Sequence, residues 1–550
     1  MRRRDFLALA GLTLTGCAVD APPPLPAGEL SGGDFALGHR LALNDFPPPV
    51  ATHEIPILII GAGIAGLSAA WRLRRAGLLN QFHLLELETE PGGNSRCGEN
   101  SISRYPLGAH YLPLPNLEAR AVRALLSDSG VLKGNPQAEA PEYDERYLCH
   151  APQERLYRLG AWQEGVIPHL GVSSAERKQQ ERFLARMESF RTAHDQQGRR
   201  AFALPAVFSS DAPEWAALDR LTMHDWMRQE GFDAPSLDWL VNYACRDDYG
   251  TDFRQVSAWA GIHYFSCRTG KGAQGASDTV LTAPEGNGWL VRSLLEQIGH
   301  PSASHETSPV LSAGSAVYAL SQNAQECQVD VWQAARQQSV RYRAKHIIWA
   351  APLHLLPRLA RNLPAELAAA IAPVSYAPWL VANLSLSAPP ASGAGAPLAW
   401  DNVLQKSPAL GYVVATHQKI RRAPGPTVLT YYHALSEYDP ATARTLLLNT
   451  TQTDWAATIL ADLSHAHRDI RTLVTRLDIF RHGHAMARPL PGFRDNERRH
   501  RLAKGWGRVR LAHADISGFS VFEEANYWGV RAAEEILTAH YGKHLQERLA

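Results

Sequence analysis

The chain has no surplus of charge. Across 550 residues, 55 basic side chains stand against 54 acidic ones, and no basic block follows the first four residues. This argues against nucleic acid as a partner, because phosphate binding needs clustered positive charge. Cysteine is also scarce. Of six, Cys17 lies in the leader, and Cys97, Cys149, Cys245, Cys267 and Cys327 form neither a CxxC nor any metal-ligand spacing. A disulfide framework and a zinc site are thereby disfavoured; one disulfide is compatible with an exported chain, but the spacing selects no pair. There is no internal repeat. Low complexity is confined to the stretch after the leader and to "APPASGAGAPLAW" at 388–400. The first apolar run, 6–16, is far too short to span a bilayer.

What is present begins with an address, "MRRRDFLALAGLTLTGCAVD". Arg3 and Arg4 ahead of Asp5, Phe6 and Leu7 resemble a twin-arginine export signal. The segment 14–17 resembles a lipobox, which implies a lipidated Cys17 as the mature N-terminus and the only membrane attachment. Ala18 in the next position favours the outer membrane. The signal is therefore expected to occupy 1–17, and the proline- and glycine-rich stretch 18–51 to be a tether, in which "FALGHRLAL" is able to dock on the folded body.

The informative stretch is "IPILIIGAGIAGLSAAWRLRRAG". A continuous apolar run at 57–60 suits a parallel strand buried on both faces. Gly61 permits a tight turn, Gly63 lets a pyrophosphate approach the backbone, and Gly66 lets the following helix pack on the strand. Ile64 and Ala65 open that helix, whose free N–H groups and dipole favour an anion. The alternating strand "QFHLLELE" then places Glu86 twenty residues after Gly66, where a carboxylate accepts both ribose hydroxyls and disfavours a 2′-phosphate.

"ELETEPGGNSRCGENSISRYPLGAHYLPLP" extends the pattern beyond a generic dinucleotide site. Glu86, Gly92, Gly93, Arg96, Gly108 and Ala109 resemble, residue by residue, the FAD-dependent amine oxidase, protoporphyrinogen oxidase and phytoene desaturase superfamily. "APEGNGWLVRSLLEQIG" at 283–299, followed by Val310, resembles that family's mid-chain helix and adenine contact. "GRVRLAHADISGFSVFEEANYWGVRAAEEIL" at 507–537 resembles its closing motif, with Asp515 on the ribityl chain and Glu523, Glu524 and Ala525 opening a helix toward the flavin. Ala514 departs from the family's glycine before the acid. The resemblance implies noncovalent FAD, with Arg96 neutralising the pyrophosphate and Glu524 at the cofactor. The fold it implies is α/β: a discontinuous Rossmann-like FAD domain (52–110, 281–355 and 501–540) and a second α+β substrate domain (111–280 and 356–500). "AVYAL", "CQVDVWQ" and "HIIWAAP" read as a strand meander returning to the first sheet.

A flavin carries the redox chemistry, so the protein needs only to bind substrate against it. The candidates near the ring are His110 and Tyr111 after the "GA" pair, Phe519 and Phe522 before the closing helix, and His484 and Arg488 in "RHGHAMARPLPGF". "VNYACRDDYGTDF" gathers Tyr243, Arg246, Asp247, Asp248 and Tyr249, either for a polar or cationic ligand or as a capped helix end with salt bridges. Two departures separate the chain from many amine oxidases: "YAPWLVANLSL" carries no lysine to assist the flavin N5, and no facing tyrosine pair is evident. The expectation is an exported FAD-dependent oxidoreductase that removes hydride from a C–N or C–C bond of a small-molecule substrate and hands electrons to a quinone or a protein. An amine (polyamine-type) oxidase releasing peroxide and a non-catalytic flavin-fold binding lipoprotein are the alternatives.

Overall fold

Two sheets organise the chain, which passes between them repeatedly. The computed structural model describes residues 24–43, 45–273, 279–300, 310–420, 422–542 and 548–550. The leader, with Arg3, Arg4 and Cys17, lies outside the described residues. Strand β1 (Leu30–Gly32) and helix α1 (Phe35–Leu43) come first, then β2 (Thr52–Ile60), α2 (Ile64–Arg75) and β3 (Phe82–Leu85). The chain next builds β4 (Glu154–Arg158), β5 (Ala161–Glu164) and α3 (Pro235–Tyr249) in the second body. It returns through α4 (Gly288–Gln297), β6 (Leu311–Ser312), β7 (Ser315–Gln322), β8 (Cys327–Gln333) and β9 (Gln338–Trp349). It then leaves again for β10 (Tyr376–Leu386), β11 (Asp401–Leu404), β12 (Gly411–Val414), β13 (Thr427–His433) and β14 (Val474–Ala487), and closes with β15 (Val509–Leu511) and α5 (Phe522–Tyr541).

The first sheet has the order β6-β3-β2-β9-β8-β7, with β15 beside the second half of β9. Parallel pairing of β2 with β3 and β9 forces helical crossovers, and α2 supplies the first. With both faces of this sheet covered, the run at 57–60 is buried throughout, as its unbroken apolar character requires. Strands β7, β8 and β9 form the expected antiparallel meander. The second sheet has the order β1-β14-β10-β13-β12-β11-β4-β5, and every residue of the central β10 is buried. The architecture is thus α/β, a Rossmann-like domain beside a second α+β domain, as the resemblance implies.

The described part of the stretch read as a tether is not free chain. From residue 24 onward it is pinned: β1 pairs in parallel with β14, and Leu37 and Leu41 of α1 enter the core behind β2. The apolar face of "FALGHRLAL" has a hydrophobic wall to cover, and this outweighs the flexibility of the surrounding prolines and glycines. At the other end of the chain, α5 lies directly on α2. A Cβ on Gly529 would meet the Ala65 carbonyl oxygen at 2.0 Å, Asn526 donates to the Ser68 hydroxyl at 2.9 Å, and Arg72 meets Glu534 at 2.8 Å in a buried pair. The five described cysteines are all free thiols.

Candidate active site

The turn after β2 opens a cleft. Gly61 has φ +98°, which few side chains tolerate, and a Cβ there would also press on the Ala350 carbonyl at 2.9 Å. A Cβ on Gly66 would lie 1.9 Å from the Gly61 carbonyl oxygen, so α2 starts at the closest approach to the strand. Gly63 is different: its Cβ position is 3.9 Å from the Cα of Gly93 and faces open space. Gly61, Gly63, Ile64, Ala65, Gly92, Gly93 and Ala109 line the cleft, which holds about 1450 Å³ of atom-free space with its mouth included. Glu86 stands at the end of β3, its two oxygens accepting from the Ala62 N–H at 2.8 Å and the Glu88 N–H at 3.0 Å. Burial pushes its carboxyl up, against the pull of those two amides and of Arg96.

The residues fit FAD on an observation internal to the protein. Asp515 reaches the cleft with Oδ2 occupied by the Tyr376 hydroxyl and, at 3.0 Å, the Leu353 N–H. Its Oδ1 is buried and has no protein partner among the described residues. An acceptor in that position suits a ribityl hydroxyl, just as Glu86 suits the ribose and the open backbone at Gly63 and Gly93 suits the pyrophosphate. Burial alone would raise the Asp515 carboxyl, but His513, Tyr376 and the Leu353 amide outweigh it and hold it below its ordinary value. Ala514 sits in a short 3₁₀ turn (Ala514–Ile516), a helical conformation that alanine adopts freely, so the missing glycine costs nothing.

Four cofactor assignments change. Val310 does not line the cleft; its carbonyl accepts from the Leu84 N–H at 2.8 Å, holding β6 beside β3, and Val317 on β7 provides the wall instead. Glu524 points away, accepting from the Ala206 N–H at 2.5 Å and the Ser517 hydroxyl at 2.6 Å. Its neighbour Ala525 lines the cleft, because successive residues in a first helical turn face different directions. Arg96 braces from behind: it lies 3.4 Å from Glu88 and donates to the Gly93 carbonyl at 3.2 Å. Gly108 belongs to the neighbouring cavity, its carbonyl taking the Tyr432 hydroxyl at 3.0 Å. Cys97 lines neither space, and burial pushes its thiol up to about 11, which leaves it a poor candidate for a covalent flavin link.

A second cavity, about 1000 Å³ with its mouth included, adjoins the first. Asn94, Ala109, Asn287, Ala485, Ser520, Val521 and Phe522 line both, which marks the junction where a flavin edge would meet a substrate. None of these seven side chains is ionisable. Outside that shared set, the cavity wall carries Asp247, Asp248, Asp401 and Glu523 against a single guanidinium, Arg268. Arg268 is already committed to Asp248 at 3.0 Å. Burial first, then the charge of Asp248, raises Asp247 to about 7, with Arg268 and the Tyr111 hydroxyl pulling the other way. Burial, Asp247 and Glu154 raise Asp401 well above its ordinary value. Burial likewise raises Glu523 to about 7. Neither Asp247 nor Asp401 has an ion pair among the described residues.

Of the six candidates near the ring, the structure brings His110, Tyr111 and Phe522 to this cavity. His110 stacks on Tyr432 at 4.5 Å, and burial lowers it to about 3, so it is a neutral wall and no base at physiological pH. His484 lines the cofactor cleft instead, stacked on His354 at 4.7 Å and lowered by burial to about 4. Arg488 lines neither space; it clamps Thr251, Ser375 and Gln255. Phe519 is core, its ring parallel to His263 at 4.9 Å. Asp401 was missed altogether, since an isolated acid at a strand start, more than 150 residues from Asp247, carries no local signature. Asn287 had one, the "EGNG" turn already matched to the mid-chain helix.

The family profile described as flavin-containing amine oxidoreductase matches residues 64–537. Among solved structures, a putrescine oxidase double variant superposes with a TM-score of 0.65 at 16% identity, over 88% of this chain and 100% of that one. Cyclohexylamine oxidase from Brevibacterium oxydans gives 0.61 at 16% identity, over 88% and 100%. A fatty acid isomerase from P. acnes, producing CLA, gives 0.60 at 12%, over 88% and 99%. A search of curated protein sequences gives no match. At such identities the structural likeness speaks for the fold, and the family match, spanning most of the chain over a cleft that fits the dinucleotide, makes this protein an FAD-dependent oxidoreductase of the flavin-containing amine oxidoreductase family.

Proposed function

We propose that this enzyme oxidises the C–N bond of a small amine carrying a second positive charge. The observation that carries the reading is the imbalance of the inner cavity: four carboxyl groups against one guanidinium that is itself paired. FAD bound in the cleft would supply the two-electron oxidant for the carbon beside nitrogen. The substrate leaves as an iminium ion, which water hydrolyses outside the enzyme. The protein's part is to bind and orient. The junction offers the reacting nitrogen no charge, so that nitrogen enters neutral, its lone pair free to form the C=N bond as hydride departs. Asp247 and Asp401 line only the inner cavity and hold the distal ammonium. An anionic substrate is disfavoured, since Arg268 would have to abandon Asp248. The fold's likeness to a putrescine oxidase agrees with a dication.

The test is anaerobic flavin reduction with a homologous series of diamines and monoamines. Diamines are expected to reduce the flavin at much lower concentration, and Asp401→Asn to raise the half-saturating diamine concentration about thirtyfold or more, because cutting one partner of a desolvated charge pair costs about 2 kcal/mol or more. Equal use of mono- and diamines by wild type and variant would refute the reading. The leader belongs to the same proposal: a twin-arginine route and a lipidated Cys17 would hold the enzyme at the outer membrane, with a quinone or a protein as electron acceptor. Cys17→Ser should release it to the soluble periplasmic fraction, and Arg3→Lys with Arg4→Lys should strand it, yellow, in the cytoplasm.

A further inference from the structure

The segment preceding the first motif strand touches both domains and the cofactor cleft. At one end β1 extends the edge of the second sheet: the Leu477 and Ile479 N–H groups donate to the Ala27 and Glu29 carbonyls at 3.0 and 2.8 Å. In the middle, the Asp34 N–H donates to Glu88 Oε1 at 3.0 Å. Glu88 lines the cleft two residues past the ribose-binding Glu86, and its other oxygen meets Arg96. Beyond it, Leu41 of α1 lines the cleft too, in one core with Ile60, Leu85 and Val317. The far end is latched by Arg40, whose guanidinium lies 4.4 Å from the Phe46 ring and 4.6 Å from that of Trp332.

We propose that residues 24–43 are a strap that closes the adenosine end of the FAD cleft and retains the cofactor. A strap fixed at the substrate domain and latched on the FAD domain has to lift for the dinucleotide to pass. The cofactor in turn supplies the surface on which the inner face of Leu41 rests. Retention and seating are then one coupling seen from two sides: the factor by which the strap tightens FAD is the factor by which FAD holds the strap down. This inference does not depend on which substrate is oxidised.

Two measurements on the holoprotein test it. A Cβ on Gly28 would lie 1.7 Å from the Leu477 carbonyl oxygen, so Gly28→Val should unseat β1 without touching the cleft. Leu41→Ala trims the wall itself. Both are expected to speed FAD loss, read as the rise of free-flavin fluorescence after dilution, by about tenfold, within the usual range of coupling between sites. The second measurement needs no variant. Trypsin should cut after Arg40 markedly faster in FAD-stripped wild type than in the loaded protein, followed by mass spectrometry as fragments beginning at Leu41. FAD loss at the wild-type rate from both variants, or equal cutting at Arg40 with and without FAD, would overturn the proposal and leave the arm a purely structural trim.

Discussion

The Tyr111 hydroxyl donates to Asp247 Oδ2 at 3.3 Å. It ties the segment two residues past Ala109 to the last turn of α3 in the substrate domain. The contact stabilises the ionised form of a carboxyl that burial holds near 7. Below that pH the free enzyme keeps Asp247 protonated and offers a cation little; above it the carboxylate forms. With a diamine, kcat/KM should therefore rise between about pH 6 and 8, a limb distinct from the one set at higher pH by the reacting amine. Asp247→Asn should flatten the lower limb. Tyr111→Phe should move it upward and raise KM at pH 7 about three- to tenfold, while flavin content and the limiting reduction rate stay near wild type. An unchanged profile in both variants would remove Asp247 from cation binding.

FAD retention provides a second prediction. Glu86→Ala withdraws the acceptor expected to meet the ribose hydroxyls, and a lost charge-assisted hydrogen bond of about 1.5–3 kcal/mol weakens FAD about 10- to 150-fold. Gly63→Val should be worse, because its side chain would fill the gap toward Gly93. Equilibrium dialysis against the stripped protein gives the constants, and parental affinity in Glu86→Ala would end that assignment.

Oxygen reactivity is the third. The β10 strand contributes Trp379 and Val381 to the substrate cavity and contains no lysine to assist the flavin N5. The reduced enzyme should regain its yellow colour slowly when mixed with air-saturated buffer in a stopped-flow cell, and faster with a quinone. Rapid return with one peroxide per turnover would instead make it an oxidase.

Glu524 gives the fourth. It is fully buried and joins the Ala206 amide to the Ser517 hydroxyl, which also accepts from the Trp528 indole at 3.1 Å. Glu524→Ala leaves those donors stranded and should cost about 1–3 kcal/mol in urea unfolding. The affinity of the folded fraction for FAD should not change, since the side chain never reaches the cleft.

Legibility followed locality. Gly61, Gly63, Glu86, Gly92 and Gly93 could be read directly because a tight turn and two neighbouring strands impose fixed spacings on them. Asp515 could be read because the closing helix begins only seven residues later, at Phe522. Arg488, Phe519 and Glu524 sit within a few residues of the right places, yet their side chains turn outward, and no spacing rule reports a χ angle or which way the first turn of a helix faces. Val310 and Val317 fall in one short stretch, and only the pairing of β6 with β3 decides which of them meets the cleft. The cavity carboxylates come from α3, β11 and, at Glu523, α5, whose meeting is a property of the packing around the second sheet, not of any one segment. The arm before residue 44 misled through composition: its prolines and glycines suggested free chain, while Leu37 and Leu41 carried the opposite message.

The contact between Gly529 and the Ala65 carbonyl also sets a timetable. The helix that opens the dinucleotide turn is finished on one side only by the last long helix of the chain, and β9 gains its neighbour β15 from residues past 508. A ribosome that has made the first motif must add more than 450 further residues before that wall exists. A product truncated before α5 would lack the Phe522 and Ala525 part of the cleft wall and is expected to emerge colourless however well its early segments had folded.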